Sequence, residues 1–172
     1  MGPEAPRPMG GTPQQGDEAQ TGRESREEEG AEDMGRSIEG FLAMVPPTVT
    51  HNDLEAFTRG GRPSIRKSAR LKEAEDSLMA RMGAMAREAE EGGGPLTGPL
   101  SLEVRWCFPT CGRREGGEPH TSRPDVSNML KTLEDCLVRV GVIDDDRLVC
   151  SLAAAKGYMD PPGVYIRAEE IG

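Results

Sequence analysis

Residues 123–149 read RPDVSNMLKTLEDCLVRVGVIDDDRLV, and this stretch decides the fold because it contains one helix and the start of one strand. Apolar residues recur in it at steps of three and four, which is the spacing of a helix with one buried face. These residues are Met129, Leu130, Leu133, Cys136, Leu137 and Val140. The pattern predicts a helix that begins near Asp125 and ends at Gly141, followed by a strand from about Leu148.

The segments on either side complete the predicted fold. Residues 100–108 alternate between apolar and polar side chains, as a strand with one buried face does. Residues 68–91 carry an apolar stripe at helical spacing, whereas the short apolar runs at 41–45 and 164–171 indicate a first and a last strand. The residues between the first strand and the first helix are expected to form a loop. We therefore predict an α/β (α+β) domain with a small mixed β-sheet packed with two main helices.

The acidic charge is concentrated at the start of the chain. Residues 1–40 contain ten acids and four arginines, whereas the whole chain has a net charge of -9. This segment has few apolar residues, so we expect a disordered acidic tail over 1–40 and a folded domain over 41–172. Because the net charge of the domain itself is small, a polyanionic partner is not excluded. An alternative is a small interaction protein in which the acidic tail binds the partner.

The cysteines and the hydropathy indicate the compartment. None of the four cysteines forms a CxxC pair, and no apolar run approaches 18 residues. We expect a cytoplasmic protein with no membrane segment.

Within the domain, residues 59–72 hold six bases and no acid. They form either a solvated loop and helix start or a strip that contacts phosphates, because clustered bases bind polyanions by releasing counterions.

The candidate chemistry lies at the acids of the quoted stretch. Asp125 opens the predicted helix, and Asp144, Asp145 and Asp146 precede the next strand. If that strand runs back along the helix, whether these carboxylates lie near Asp125 depends on where the strand begins, which the spacing does not fix. Carboxylates that converge there need a cation, for which Mg²⁺ or Mn²⁺ is suitable. Lys131 is then available to stabilise a phosphate oxygen. The alternative is structural, since Asp is a good N-cap and a run of three Asp is often a solvated turn.

The same stretch resembles the signature of the RusA family of Holliday junction resolvases, which phages and prophages often carry. That signature runs Lys/Arg-Pro-Asp-x-Asp-Asn-Leu-x-Lys, then Asp-x-Leu, and then Asp-Asp before an apolar strand. The positions that match are Pro124, Asp125, Asn128, Lys131, Asp135, Leu137, Asp145 and Asp146. The flanking segments VPPTVTHND, PLSLEVRWCFP and PGVYIRAEE also fit, so the resemblance covers about residues 41–172.

The resemblance implies a function in DNA recombination and repair. It implies a homodimeric, Mg²⁺-dependent endonuclease that resolves four-way DNA junctions by paired symmetric nicks. By position, Asp125, Asp145 and Asp146 are the implied metal ligands and catalytic acids, and Lys131 is the lysine needed for cleavage. The basic strip and the loop over 109–124 become candidates for DNA contact. Their bases are Arg59, Arg62, Arg66, Lys67, Arg70, Arg113, Arg114 and Arg123.

One position departs from the family pattern. Ser127 stands where the signature has its second Asp, and a hydroxyl is a neutral, weaker metal ligand than a carboxylate. The loss of this charge is expected to weaken metal binding and the activation of water. The alternative function is therefore a catalytically weakened protein that binds DNA junctions.

Overall fold

The structure is a computed structural model that describes residues 35–172. Its main sheet is mixed, with the strand order β1-β6-β4-β5, and only β5 and β4 are parallel neighbours. The strands of this sheet are β1 (Ser37–Ala43), β4 (Leu100–Phe108), β5 (Val149–Tyr158) and β6 (Gly163–Glu170). The helices are α1 (Ala69–Arg81), α2 (Gly83–Glu91) and α3 (Val126–Arg139). The predicted α+β class with a mixed sheet is confirmed.

The core lies between one face of the main sheet and the three helices. The alternation predicted for residues 100–108 is present in β4, whose inward side chains Leu102, Val104 and Trp106 are buried. The apolar stripe predicted for the stretch around Leu133 is the buried face of α3. Both sets belong to one apolar cluster with side chains from α1, α2, β1 and β6. Within residues 35–172, no helix is both long enough and apolar enough to cross a membrane.

The helix predicted over 68–91 is divided into two consecutive helices, α1 and α2. Met82 ends α1 with φ -78° and ψ 0°, and Gly83 begins α2. A ψ near zero departs from the helical value, and Gly has low helix propensity. The apolar stripe continues across the break through Leu78, Met82 and Met85, all buried, so the periodicity alone did not reveal it.

The predicted loop before α1 contains a β-hairpin. Strand β2 (Leu54–Arg59) pairs with β3 (Arg62–Lys67), and Gly60 and Gly61 connect them with φ of 58° and 77°. Two consecutive positive φ values are what a tight hairpin turn requires, and glycine adopts them without steric cost. The Gly-Gly pair was therefore the signal for a hairpin.

The acidic tail can be compared with the structure only in part. The predicted disorder concerns residues 1–40, of which 1–34 lie outside the described residues. Residues 37–40 form the first half of β1, which pairs with β6. The strand predicted at 41–45 therefore begins at Ser37.

The connection from β4 through α3 to β5 positions the candidate site. Because β4 and β5 are parallel, the helix that joins them runs in the opposite direction to both strands. The entrance of β5 therefore lies toward the end of α3, and the last residues of β5 lie toward its start. The acids that precede β5 are consequently expected beside the second half of α3.

The burial of α3 predicts a large cost for truncating its central leucine. Leu133 is fully buried in the core, so Leu133→Ala should lower the free energy of unfolding by about 2–5 kcal/mol. Ile65 of the hairpin is 71% exposed, and Ile65→Ala should change stability by about 0.5 kcal/mol or less. Urea unfolding followed by circular dichroism measures both. Equal losses for the two variants would contradict the assignment of the core.

Candidate active site

The carboxylate of Asp125 is not used by the helix that it precedes. Asp125 is the N-cap residue of α3, with an extended backbone at φ -75° and ψ 144°. Its main-chain carbonyl accepts a hydrogen bond from the Met129 amide at 3.1 Å, but its side chain makes no capping hydrogen bond. The side chain is exposed. A capping role therefore explains the backbone of Asp125 and leaves its carboxylate available for another partner.

Lys131 binds two acids at the middle of α3. Its Nζ lies 3.0 Å from Oδ1 of Asp135, one turn further along the helix, and it also donates to Oδ2 of Asp146. The hydrogen bond from Lys131 holds the pKa of Asp146 below its usual range. The hydrogen bonds to Asp146 and then to Asp135 raise the pKa of Lys131. Both shifts favour the charged forms, so the pair of Lys131 and Asp146 is ionised at neutral pH.

The three consecutive acids before β5 have different surroundings. Asp146 pairs with Lys131, whereas Asp145 accepts a hydrogen bond from the Arg147 amide at 2.9 Å and caps a short 3₁₀ helix. The guanidinium of Arg147 also lies 3.4 Å from Asp145 Oδ2. Asp144 is exposed, and only its backbone is tied, through a hydrogen bond from its amide to Leu96. Of the three, Asp146 is therefore the one directed at α3.

A groove of about 340 Å³ brings acids and bases together beside α3. Its lining consists of Lys67, Asp135, Val138, Arg139, Asp145 and Asp146. The two bases share one carboxylate, because Glu75 Oε1 lies 2.5 Å from Lys67 Nζ and Glu75 Oε2 lies 2.9 Å from Arg139 Nη1. Glu75 is only 3% exposed, so it needs both counter-ions. On the basic side of the groove, two cations therefore share one buried carboxylate, whereas among the described residues the three lining acids pair with Lys131 and Arg147.

The buried Glu75 was missed in the sequence. Its burial could have been recognised from its position, because it directly follows Ala74 and lies one turn after Leu71 on the apolar stripe of α1. A charged residue at such a position is buried only when it is paired.

The predicted metal ligands are not gathered into one cluster. Within residues 35–172, no three His, Cys, Asp or Glu side chains are placed to hold one metal ion. The chemistry of the acids nevertheless fits Mg²⁺, which usually takes one or two carboxylates and completes its shell with water and substrate phosphates. Asp135 and Asp146 already share one cationic group, the ammonium of Lys131. Asp145 and Asp146 line the same groove, so one or two carboxylates are available there for a cation.

The bases predicted to contact DNA fall into two groups. Arg66 pairs with Glu55 at 3.3 Å, Lys67 with Glu75, and Arg114 with Glu118 at 3.3 Å. In the described part of the chain, the others have no acidic partner within 4.0 Å. They are Arg59, Arg62, Arg70, Arg113 and Arg123. Arg59 and Arg62 face each other across the turn of the hairpin, which places two of these bases side by side at its tip.

Two further side chains near the start of α3 were not identified from the sequence. His51 Nδ1 lies 3.2 Å from the main-chain oxygen of Asn128. Lys156 of β5 donates to the main-chain oxygens of Ser122 and Pro124, just before Asp125. Neither residue is part of a local pattern, because each contacts α3 or the loop before it from a distant part of the chain. Their contacts depend on the fold.

The comparison with protein families agrees with this arrangement of groups. Residues 45–169 match the family model described as Endodeoxyribonuclease RusA. The match covers more than two thirds of the chain and includes the hairpin, α3 and the acids before β5. A comparison with curated proteins gave no match. The chain therefore belongs to the RusA endodeoxyribonuclease family, a family of Holliday junction nucleases.

Proposed function

We propose that this protein is a Mg²⁺-dependent endonuclease that resolves four-way DNA junctions by paired symmetric nicks. The observation that carries the proposal is the ion pair between Lys131 and Asp146, the latter at the wall of a groove lined by acids and bases. The free carboxylate of Asp125 at the start of the same helix adds to it. Family membership supplies the class of substrate.

The proposed chemistry assigns a role to each group. Asp146, with Asp125 or Asp145, would hold the divalent cation, and Mn²⁺ would be an acceptable substitute for Mg²⁺. A bound ion of this type polarises the phosphodiester and lowers the pKa of a water ligand. Lys131 places an ammonium beside the same acids, where it can donate to a phosphate oxygen that gains negative charge. Asp135 orients this ammonium through its contact at 3.0 Å.

DNA binding is assigned to the bases that have no acidic partner. The tip of the hairpin presents Arg59 and Arg62, and the loop before α3 presents Arg113 and Arg123. Unpaired surface bases contribute to affinity by releasing the counterions condensed on DNA. Because Lys67 and Arg139 are held by Glu75, we expect them to contribute less.

Homodimerisation is supported by the open edge of β5. Among the described residues, β5 is the last strand of the main sheet, and its outer edge is paired only near its end, where the backbone of the loop before α3 bonds to Lys156 and Tyr158. Residues 150–155 are exposed and contain neither a charge nor a proline, although edge strands are usually protected by such residues. Pairing of this edge with β5 of a second copy, around a two-fold axis, would complete the sheet.

A second candidate function is junction binding with little cleavage. Ser127 is exposed on the first turn of α3 and brings no charge to the site. The DNA-binding bases would then act without efficient chemistry.

Asp146→Asn tests the nuclease proposal. We expect this variant to lose junction cleavage by roughly 100-fold or more, because it removes the charge that pairs with Lys131 and holds the cation. Asp144→Asn is the matched control, since Asp144 lies two residues away and makes no ion pair in the described structure. Cleavage of a synthetic four-way junction with Mg²⁺, and with EDTA added, measures the effect. Absence of cleavage by the native chain with either Mg²⁺ or Mn²⁺ would refute the proposal.

Ser127→Asp separates the two candidate functions. If Ser127 limits the chemistry, this variant should cleave at least roughly tenfold faster and need less Mg²⁺, because a carboxylate binds the ion more strongly than a hydroxyl. Ser127→Asn introduces a side chain with the shape of Asp but without its charge, and this variant should cleave at the native rate. Native cleavage that is already robust, with no gain in Ser127→Asp, would rule out the weakened-binder alternative.

Leu152→Lys tests the proposed dimer. Light scattering should show the native protein at twice the chain mass of 18.5 kDa, and the variant as a monomer. The reason is that Leu152 is 49% exposed on the open edge, where an added charge opposes pairing. Ile65→Lys changes an exposed aliphatic residue of the hairpin instead and should remain dimeric. A dimer that persists in Leu152→Lys would exclude this edge as the interface.

A further inference from the structure

The loop before α3 is fastened to the end of β5 by its backbone. The amide of Gly117 donates to Tyr158 O at 2.8 Å, and the amide of Tyr158 donates to Glu118 O at 2.9 Å. The amide of His120 donates to Lys156 O at 3.1 Å. These bonds extend the sheet by a short segment and direct the loop toward the start of α3. They end at His120, five residues before Asp125.

The side chain of Lys156 continues this attachment. Lys156 stands opposite Trp106 in the register of β5 and β4, so it lies on the face of the sheet that carries the helices. Its Nζ donates to Ser122 O at 2.5 Å and to Pro124 O at 2.6 Å. Within residues 35–172, Lys156 is in none of the ion pairs formed within 4.0 Å. Its positive charge is therefore satisfied by two main-chain carbonyls, one on each side of Arg123.

Asp125 depends on its backbone for its position. Its side chain makes no hydrogen bond to the helix, so no contact of its own with α3 orients the carboxylate. The residue before it, Pro124, is buried and gives its carbonyl to Lys156. Hydrogen bonds from a charged donor are stronger than those between neutral groups. The Lys156 ammonium thus holds the residue directly before Asp125, the candidate metal ligand, by a hydrogen bond to Pro124 O.

We infer that Lys156 is a positioning residue that holds Asp125 in place for cation binding by fixing the main chain from Ser122 to Pro124. This inference rests on the proposed function, in which Asp125 is a metal ligand. Lys156 does not touch the substrate in this role. It acts on the backbone, as the groups behind metal ligands do when they orient the ligands.

The first experiment tests the anchor without any metal. Lys156→Met removes the ammonium and keeps most of the aliphatic stem. Hydrogen exchange of the Met129 amide, which is bonded to Asp125 O, should become at least roughly tenfold faster because the start of α3 loses two charged hydrogen bonds. The Val140 amide, bonded to Cys136 O at the other end of α3, should not change. Unchanged exchange at Met129 would overturn the inference.

Arg36→Met is the matched control for this measurement. Arg36 also donates to two main-chain carbonyls, Gly94 O at 2.8 Å and Ala89 O at 3.4 Å, at the end of α2. Its removal should leave the exchange of Met129 unchanged. Lys156→Arg keeps a cation with several donors and should restore slow exchange in part. Faster exchange at Met129 in Arg36→Met as well would indicate a general loss of stability and overturn the inference.

The second experiment tests whether the anchor acts through Asp125. The affinity for Mn²⁺, measured from the EPR signal of the free ion, should fall roughly tenfold in Lys156→Met. In an Asp125→Asn background the same substitution should change the affinity less than twofold, because the group that it positions is gone. An equal loss in both backgrounds would overturn the inference. Absence of Mn²⁺ binding by the native chain would instead refute the proposed function, and hydrogen exchange would still decide whether Lys156 holds the loop.

Discussion

The packing of the apolar face of α3 against β4 is the constraint on which the rest of the structure depends. Leu133, Cys136 and Leu137 are fully buried in this contact, and Val104 of β4 is fully buried in the same apolar cluster. Residues on one face of a helix recur every three or four positions. Burial of the face that carries Leu133 therefore leaves Lys131 on the flank of the helix, where it is half exposed. The same packing places the helix start at the end of β5 and the helix end at its entrance. The positions of the candidate catalytic groups are thus consequences of a hydrophobic contact that contains none of them.

Much of the fold was predictable wherever burial follows a simple period. The alternation in β4 and the stripe of α3 matched the observed elements closely, because each packs one face on the same core. The hairpin was predicted as a loop because its side chains are largely exposed and show no buried face. The break between α1 and α2 was missed for the opposite reason, since the buried residues keep their helical spacing through Met82 while the backbone changes.

The sequence indicated residues for the candidate site but not their pairings. It proposed Asp125, Lys131, Asp145 and Asp146, and it left the approach of the later acids to Asp125 open because the start of the strand was not fixed. The structure adds the pair between Asp146 and Lys131, which forms where the entrance of β5 lies beside α3. Contacts such as those of Glu75 and Lys156 join residues that are 8 to 64 positions apart in the chain. Spacing within a motif carries no information about such contacts, because packing and sheet register determine them.

The buried carboxylate of Glu75 also has an evolutionary consequence. It is shared by Lys67, at the end of the hairpin, and Arg139, at the end of α3. Loss of either base leaves the buried carboxylate with one cationic partner instead of two, and loss of the acid leaves two like charges close together. Substitution at any one of these three positions therefore carries a penalty that a second substitution must relieve. Among related chains, positions 67, 75 and 139 should change together or not at all, which makes the trio a covariation signature that links the basic hairpin to the helix of the candidate active site.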